Sequence, residues 1–80
     1  MYALIFFGED GKFHYTYSVD FDSPEVAFRT PRLFGLTWTF DGDTWSSSRA
    51  LFNGPDKWGT WAISNTMDLN PMYFPGGIKP

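Results

Sequence analysis

The chain has one histidine, His14, and no cysteine. Imidazole ordinarily titrates closest to neutrality, so a general-base reading begins at His14, with a nearby aspartate to orient it. The pattern around it favours something plainer. His14 falls among the polar positions Lys12, His14, Thr16 and Ser18 of an alternating run, where a solvated or hydrogen-bonded structural histidine is expected. Without a cysteine or a second histidine, one chain cannot form a Cys-His nucleophile or a multi-histidine metal site. Serines are present, but no Gly-x-Ser-x-Gly elbow positions one for attack. The chain also lacks Gly-x-Gly-x-x-Gly and Gly-Lys-Ser/Thr loops, which sets nucleotide hydrolysis aside.

Two carboxylate pairs, Asp20-x-Asp22 and Asp41-x-Asp43, have spacings that can hold a hard cation or serve as a glycosidase acid and base. Each also has a structural explanation. Asp41 and Asp43 flank a glycine where a hairpin turn is expected, and Asp20 and Asp22 precede a helix start, where acidic residues suit the dipole. Neither pair brings the six or so oxygens that calcium takes. The sequence therefore predicts no catalytic residues, no metal and no cofactor.

Binding chemistry is better represented. Arg29 and Arg32 bracket Pro31, with Phe28 and Phe34 close by, a grouping able to stack on a planar ligand or clamp a carboxylate. A solvated loop is the simpler account of the same residues. Trp38, Trp45, Trp58 and Trp61 make either the core of a small domain or a flat platform for sugar rings or a protein groove. At least two of them should be core. A chain this rich in rings can scarcely hide them all, so one exposed aromatic patch is expected.

The elements that must position these residues read mostly with period two. Tyr2 to Phe7 is continuously apolar, and Phe13, Tyr15, Tyr17 and Val19 alternate with polar neighbours. Gly8-Glu9-Asp10-Gly11 joins them, either as a two-residue turn at Asp10-Gly11 or as a four-residue loop. The first register sets Phe6 against Tyr15 and Leu4 against Tyr17; the second sets Phe6 against Phe13 and Leu4 against Tyr15. Both place Tyr2, Leu4 and Phe6 on the face of the second strand's aromatics, with Ala3, Ile5 and Phe7 behind, alongside His14 and Thr16. The first strand should be central.

Ser23-Pro24 reads as an N-cap followed by proline at the first helical position, which predicts one short helix near residues 24–29, stopped by Thr30-Pro31. Leu33 to Phe40 returns to alternation. Asp41-Gly42 then suggests a two-residue turn that would place Trp38 opposite Trp45. Residues 46–52 fit a strand or a serine-capped short helix, with strand favoured. Gly54 to Lys57 reads as a turn, and Trp58 to Ser64 as the last full strand. Asn70-Pro71, Phe74-Pro75 and Gly76-Gly77 leave 65–80 as an irregular tail, bulky enough at Met72, Tyr73 and Phe74 to pack on the sheet.

Eighty residues suit a single domain that buries only roughly 65% of its unfolded surface, so dense packing must stand in for disulfides. Nine Phe, four Trp and four Tyr supply the bulk. The fold expected is mainly β: a small antiparallel sheet of four or five strands, open or curled into a half-barrel, with the one helix. The N-terminal apolar run meets Gly8-Glu9-Asp10-Gly11 too early for a signal peptide or membrane span. It predicts a cytoplasmic protein that is not membrane-bound. A net charge of −3, from nine acidic and six basic residues, argues against direct nucleic-acid binding.

The functional expectation is therefore occupancy: a small acidic protein that blocks a partner protein's basic surface. The acidic contacts would be Glu9, Asp10, Asp20, Asp22, Glu25, Asp41 and Asp43, and the aromatic and basic ones Trp45, Trp58, Tyr73, Arg29 and Arg32. A phage-encoded inhibitor of a nucleic-acid-binding complex, of the anti-CRISPR type, is one concrete form, acting in the host cytoplasm. A carbohydrate-binding module built on the indoles is the alternative, and a small enzyme using His14 a third. An exposed strand edge also allows a homodimer.

Overall fold

The computed structural model describes residues 1–51 and 58–73. One open antiparallel sheet dominates, with strands β1 (Tyr2–Gly8), β2 (Phe13–Phe21), β3 (Trp38–Phe40), β4 (Thr44–Ser47), β5 (Ala50–Leu51) and β6 (Trp58–Asn65). The order across it is β2-β1-β6-β4-β3, with β5 also paired to β6. The helix α1 (Pro24–Phe28) and a 3-10 turn at Pro31–Leu33 link β2 to β3, and further 3-10 turns at Thr66–Asp68 and Pro71–Tyr73 follow β6. The fold is mainly β, as the sequence predicts. No helix among the described residues is long and apolar enough to cross a membrane.

β1 is central. It pairs without interruption with β6 from Tyr2↔Asn65 to Gly8↔Gly59, and Ala3, Leu4, Ile5 and Phe6 are each no more than 1% exposed. A fully apolar strand demands cover on both faces. On one face, Leu4, Phe6, Trp61 and Ile63 pack with Ala27 of α1, Leu33 of the following turn and Ala50. On the other, the Tyr73 ring meets Phe13 at 5.0 Å and Phe7 at 5.9 Å, and the Thr16 hydroxyl donates to the Tyr73 carbonyl. The tail as far as Tyr73 thus packs on the sheet; residues 74–80 lie outside the described residues.

The β1–β2 connection keeps the Phe6–Tyr15 pair of the first expected register and corrects the rest of both. Gly8 N–H donates to Lys12 O at 2.9 Å and Gly11 N–H to Gly8 O at 2.9 Å, so the loop is three residues, Glu9 to Gly11. Gly11 takes the positive φ of 81° that such loops need. Phe7 then faces Phe13, but Phe6 faces Tyr15 and Leu4 faces Ser18, because β2 gains an extra residue at each of three register shifts. A bulge rotates the side chains that follow it. Phe13 is accordingly on the Phe7 face, against expectation, while His14 swings to the Phe6 side with its ring 5.7 Å away, edge to face.

α1 forms as expected: the Ser23 hydroxyl accepts from Val26 N–H at 3.3 Å, with Pro24 in the first turn. The strand expected from Leu33 is much shorter. Leu33 closes the 3-10 turn, Gly35 has φ of 87°, and pairing begins only at Trp38. The β3–β4 turn is offset by one residue from the expected place. Asp41 N–H donates to Thr44 O at 3.2 Å around Gly42-Asp43, with Gly42 at φ 103°. Phe40 therefore opposes Trp45, and Trp38 opposes Ser47 instead of Trp45. Glycine belongs in the first central position of such a turn because its φ is positive there.

Residues 46–51 are strand, interrupted. β4 leaves β6 after Ser46↔Ala62, and β5 rejoins it at Ala50↔Gly59, so the sheet has six segments where four or five were expected. Serine hydroxyls satisfy the gap. Ser47 Oγ accepts the buried Trp61 N–H at 2.7 Å, and Ser48 bonds Thr37 through both its N–H, at 2.7 Å, and its hydroxyl, at 3.1 Å. Phe52 and the turn expected at Gly54 to Lys57 lie outside the described residues.

Two substitutions test this packing. A Cβ on Gly59 would sit 2.0 Å from Phe7 O and 2.7 Å from Phe6 Cζ, so Gly59→Ala should lower the unfolding free energy by about 3 kcal/mol, seen as a lower urea midpoint. Ser47→Ala strands the Trp61 amide and should cost about 1–3 kcal/mol in the same measurement.

Candidate functional site

Strand pairing decides which loops share an end of the sheet. Tyr2 pairs with Phe21 on one side and Asn65 on the other, and Thr44 pairs with Ser64. Asp20 near the end of β2, Asp22 and Glu25 after it, Asp41 and Asp43 in the β3–β4 turn, and Asp68 beyond β6 therefore emerge together. Glu9 and Asp10 lie at the opposite end, where Gly8 meets Gly59.

Two open grooves run between these loops. One, of about 340 Å³, is lined by Tyr2, Glu25, Phe40, Asp43, Trp45 and Asp68. The other, of about 530 Å³, has Thr44, Ser64 and Tyr73 beside Asp43 and Asp68, with the Thr44 and Ser64 hydroxyls 3.0 Å apart on its floor. Asp43, Asn65 and Asp68 belong to both, so the grooves are continuous around the sheet end. Among the described residues, neither is lined by a lysine or arginine.

The aromatic wall is built in layers. Phe40, 50% exposed, stacks on Trp45 at 4.6 Å with their planes 29° apart. Trp45 meets Phe28 of α1 edge-on at 5.4 Å, and Phe28 lies 5.0 Å from Trp38. Cross-strand pairing places Phe40 and Trp45 side by side, and Phe28 of the helix packs against Trp45.

The acidic side chains differ in what they already hold. Asp41 Oδ1 accepts the backbone N–H of Asp43 at 2.9 Å and of Thr44 at 2.8 Å; these bonds, that to Thr44 foremost, hold its carboxyl below the usual range. It is a turn-forming group. Asp10 accepts Lys12 N–H at 2.9 Å, Asp20 accepts the Ser18 hydroxyl, and Glu9 pairs with Arg49. Asp22, Glu25, Asp43 and Asp68 have no side-chain hydrogen bond or ion pair to another described residue.

The remaining expected contacts are dispersed. Trp58, half-buried, lies under the Arg49 guanidinium, 4.1 Å from the ring centroid, at the far end of the sheet. Arg29 is exposed at the end of α1. Arg32 is near enough to Tyr15 to oppose the burial that pushes that phenol up. His14, exposed on the β2 edge, has its Nε2 against Gly8. Among the described residues no three metal-ligating side chains gather. Of the indoles, Trp61 is buried and the other three are half-buried.

The groove thus unites Glu25, Asp43 and Trp45 on one side and Tyr73 on the other, and adds Tyr2, Phe40 and Asp68, which the sequence did not single out. Phe40 shares the Leu36 and Trp38 alternation and so reads as packed, and Asp68 sits in an unpatterned tail. Comparison with protein-family models, curated proteins and solved structures finds no match.

Because the Asp41 carboxyl is depressed in the folded state, its stabilising effect is present above the ordinary aspartate pKa of about 3.9 and is lost as pH falls through the lowered value. Asp41→Ala should therefore lower the urea midpoint at pH 7, and the gap from the parent protein should narrow towards pH 2.

Proposed function

We propose that the chain is a binding protein that lays its acidic sheet end on the basic surface of a partner protein and acts by occupying that surface. The observation that supports this most is the groove itself: Glu25, Asp43 and Asp68, without partners among the described residues, line a cleft with a half-exposed Phe40. Uncompensated carboxylates around a low-dielectric wall focus a negative potential, which steers a cationic partner and suppresses anionic ones. Exposed rings at the centre of such a patch supply the desolvated contact that gives a complex its lifetime.

A protein that covers cationic residues denies them to any other ligand. Where those residues line a channel for nucleic acid, the effect is inhibition by competition, and a phage-encoded inhibitor of the anti-CRISPR type is the concrete form of this reading. The length and acidity of the chain suit such a role, and the layered rings provide a surface that loses little freedom on docking.

Capture from the native host cell at low salt should recover a basic nucleic-acid-handling complex, and its binding to DNA should fall as the protein is added. The triple substitution Glu25→Gln, Asp43→Asn, Asp68→Asn should weaken the association about tenfold or more, and 0.5 M salt should weaken the parent complex similarly. Undiminished binding by the triple variant would exclude this end of the sheet as the contact.

A further inference from the structure

Phe40 is the ring of the acidic end that is most available to a ligand, and its surroundings are unusual for a surface phenylalanine. It stacks 4.6 Å from Trp45, whose indole meets the edge of Phe28, so its position is set by three elements: β3, β4 and α1. Around the same cleft stand Glu25, Asp43 and Asp68. The cleft is thus a fixed aromatic wall with carboxylates on its rim.

Two kinds of protein cation can enter it. An ammonium is a compact, strongly hydrated point charge, satisfied by carboxylates anywhere nearby. A guanidinium is planar and weakly hydrated, stacks on ring faces, and offers paired N–H groups whose geometry matches a carboxylate. Only the guanidinium uses both halves of this cleft at once. Arg49 over Trp58, with Glu9 as its carboxylate, is the same arrangement made within the chain at the other end of the sheet. There, arginine, ring and carboxylate are all supplied internally; at the acidic end the ring and carboxylates are supplied and the arginine is missing.

Resting on the proposal of a basic partner, we infer that the Phe40 cleft is an arginine-selective slot, taking a guanidinium of the partner against Phe40 with Asp43, Asp68 or Glu25 as its carboxylate. The occupant is an exposed arginine side chain of a protein, and the charge complementarity of the cleft is what selects it.

Titration with end-capped Arg-Gly-Gly-Arg-Gly-Gly-Arg and with its lysine counterpart, followed by amide shifts and tryptophan fluorescence at low salt, tests the slot. The arginine peptide should bind about fivefold or more tightly than the lysine peptide, with shifts centred on Phe40, Asp43 and Asp68. Phe40→Leu should bring the two affinities together, and Phe40→Tyr should keep them apart; unchanged far-ultraviolet circular dichroism and a retained cooperative urea transition confirm that both variants stay folded. Equal affinities in the parent protein would overturn arginine selectivity and leave the basic-surface proposal standing. Binding of neither peptide, even at low salt, would remove both.

Discussion

The close approach of β1 to β6 at Phe6, Trp61 and Gly59 is the constraint on which the rest of the structure depends. Phe6 and Trp61 are direct partners across the strands, their rings 4.9 Å apart and nearly perpendicular. Gly59, two residues earlier on β6, leaves room for the far edge of the Phe6 ring and for the Phe7 carbonyl. Any side chain there would separate the two strands, and the pairing of β1 and β6 along its whole length keeps the central core shut. With no disulfide available, that contact has to be made by side-chain bulk alone, and two large rings do it with few residues.

From this centre the acidic end follows by geometry. Because β1 and β6 stay in register through Tyr2↔Asn65, the chain leaves β6 beside the start of β1, where Thr66 N–H donates to Met1 O at 2.9 Å. Asp68 is held there by a short turn capped by Asn65, whose Oδ1 accepts Met67 N–H at 2.9 Å. β4 brings its turn to the same end through Thr44↔Ser64. Asp43 and Asp68, distant in sequence, become neighbours because both flank β6.

Much of the architecture is readable from local signals that agree with each other. The apolar run of β1, the Ser23-Pro24 helix start and the alternation of Trp58 to Ser64 each have one physical reading, and each forms as expected. Register is less legible. A strand pattern shows which residues alternate, but β2 takes three extra residues, one of which puts Phe13 and Tyr15 on opposite faces, and no residue in β2 announces a bulge. The Asp41-Gly42 pair likewise marks a turn without saying whether glycine takes its first or second central position. That one-residue difference replaces a Trp38–Trp45 pair with Phe40–Trp45, and so decides which ring reaches the acidic groove. Alternation alone therefore assigns Phe40 to packing and misses its exposure.

The two ends of the sheet show how a small fold separates structure from contact. At the Gly8 end Glu9 holds Arg49, Arg49 covers Trp58, and Asp10 closes its own turn. At the Tyr2 end, among the described residues, Asp41 and Asp20 are engaged in local bonds, and Asp22, Glu25, Asp43 and Asp68 are exposed around a ring that the core holds in place. Keeping like charges together costs stability through repulsion, and leaving half a phenylalanine exposed forgoes its burial. The fold accepts both costs at the acidic end. On the proposed function, a cationic surface that docked there would relieve both.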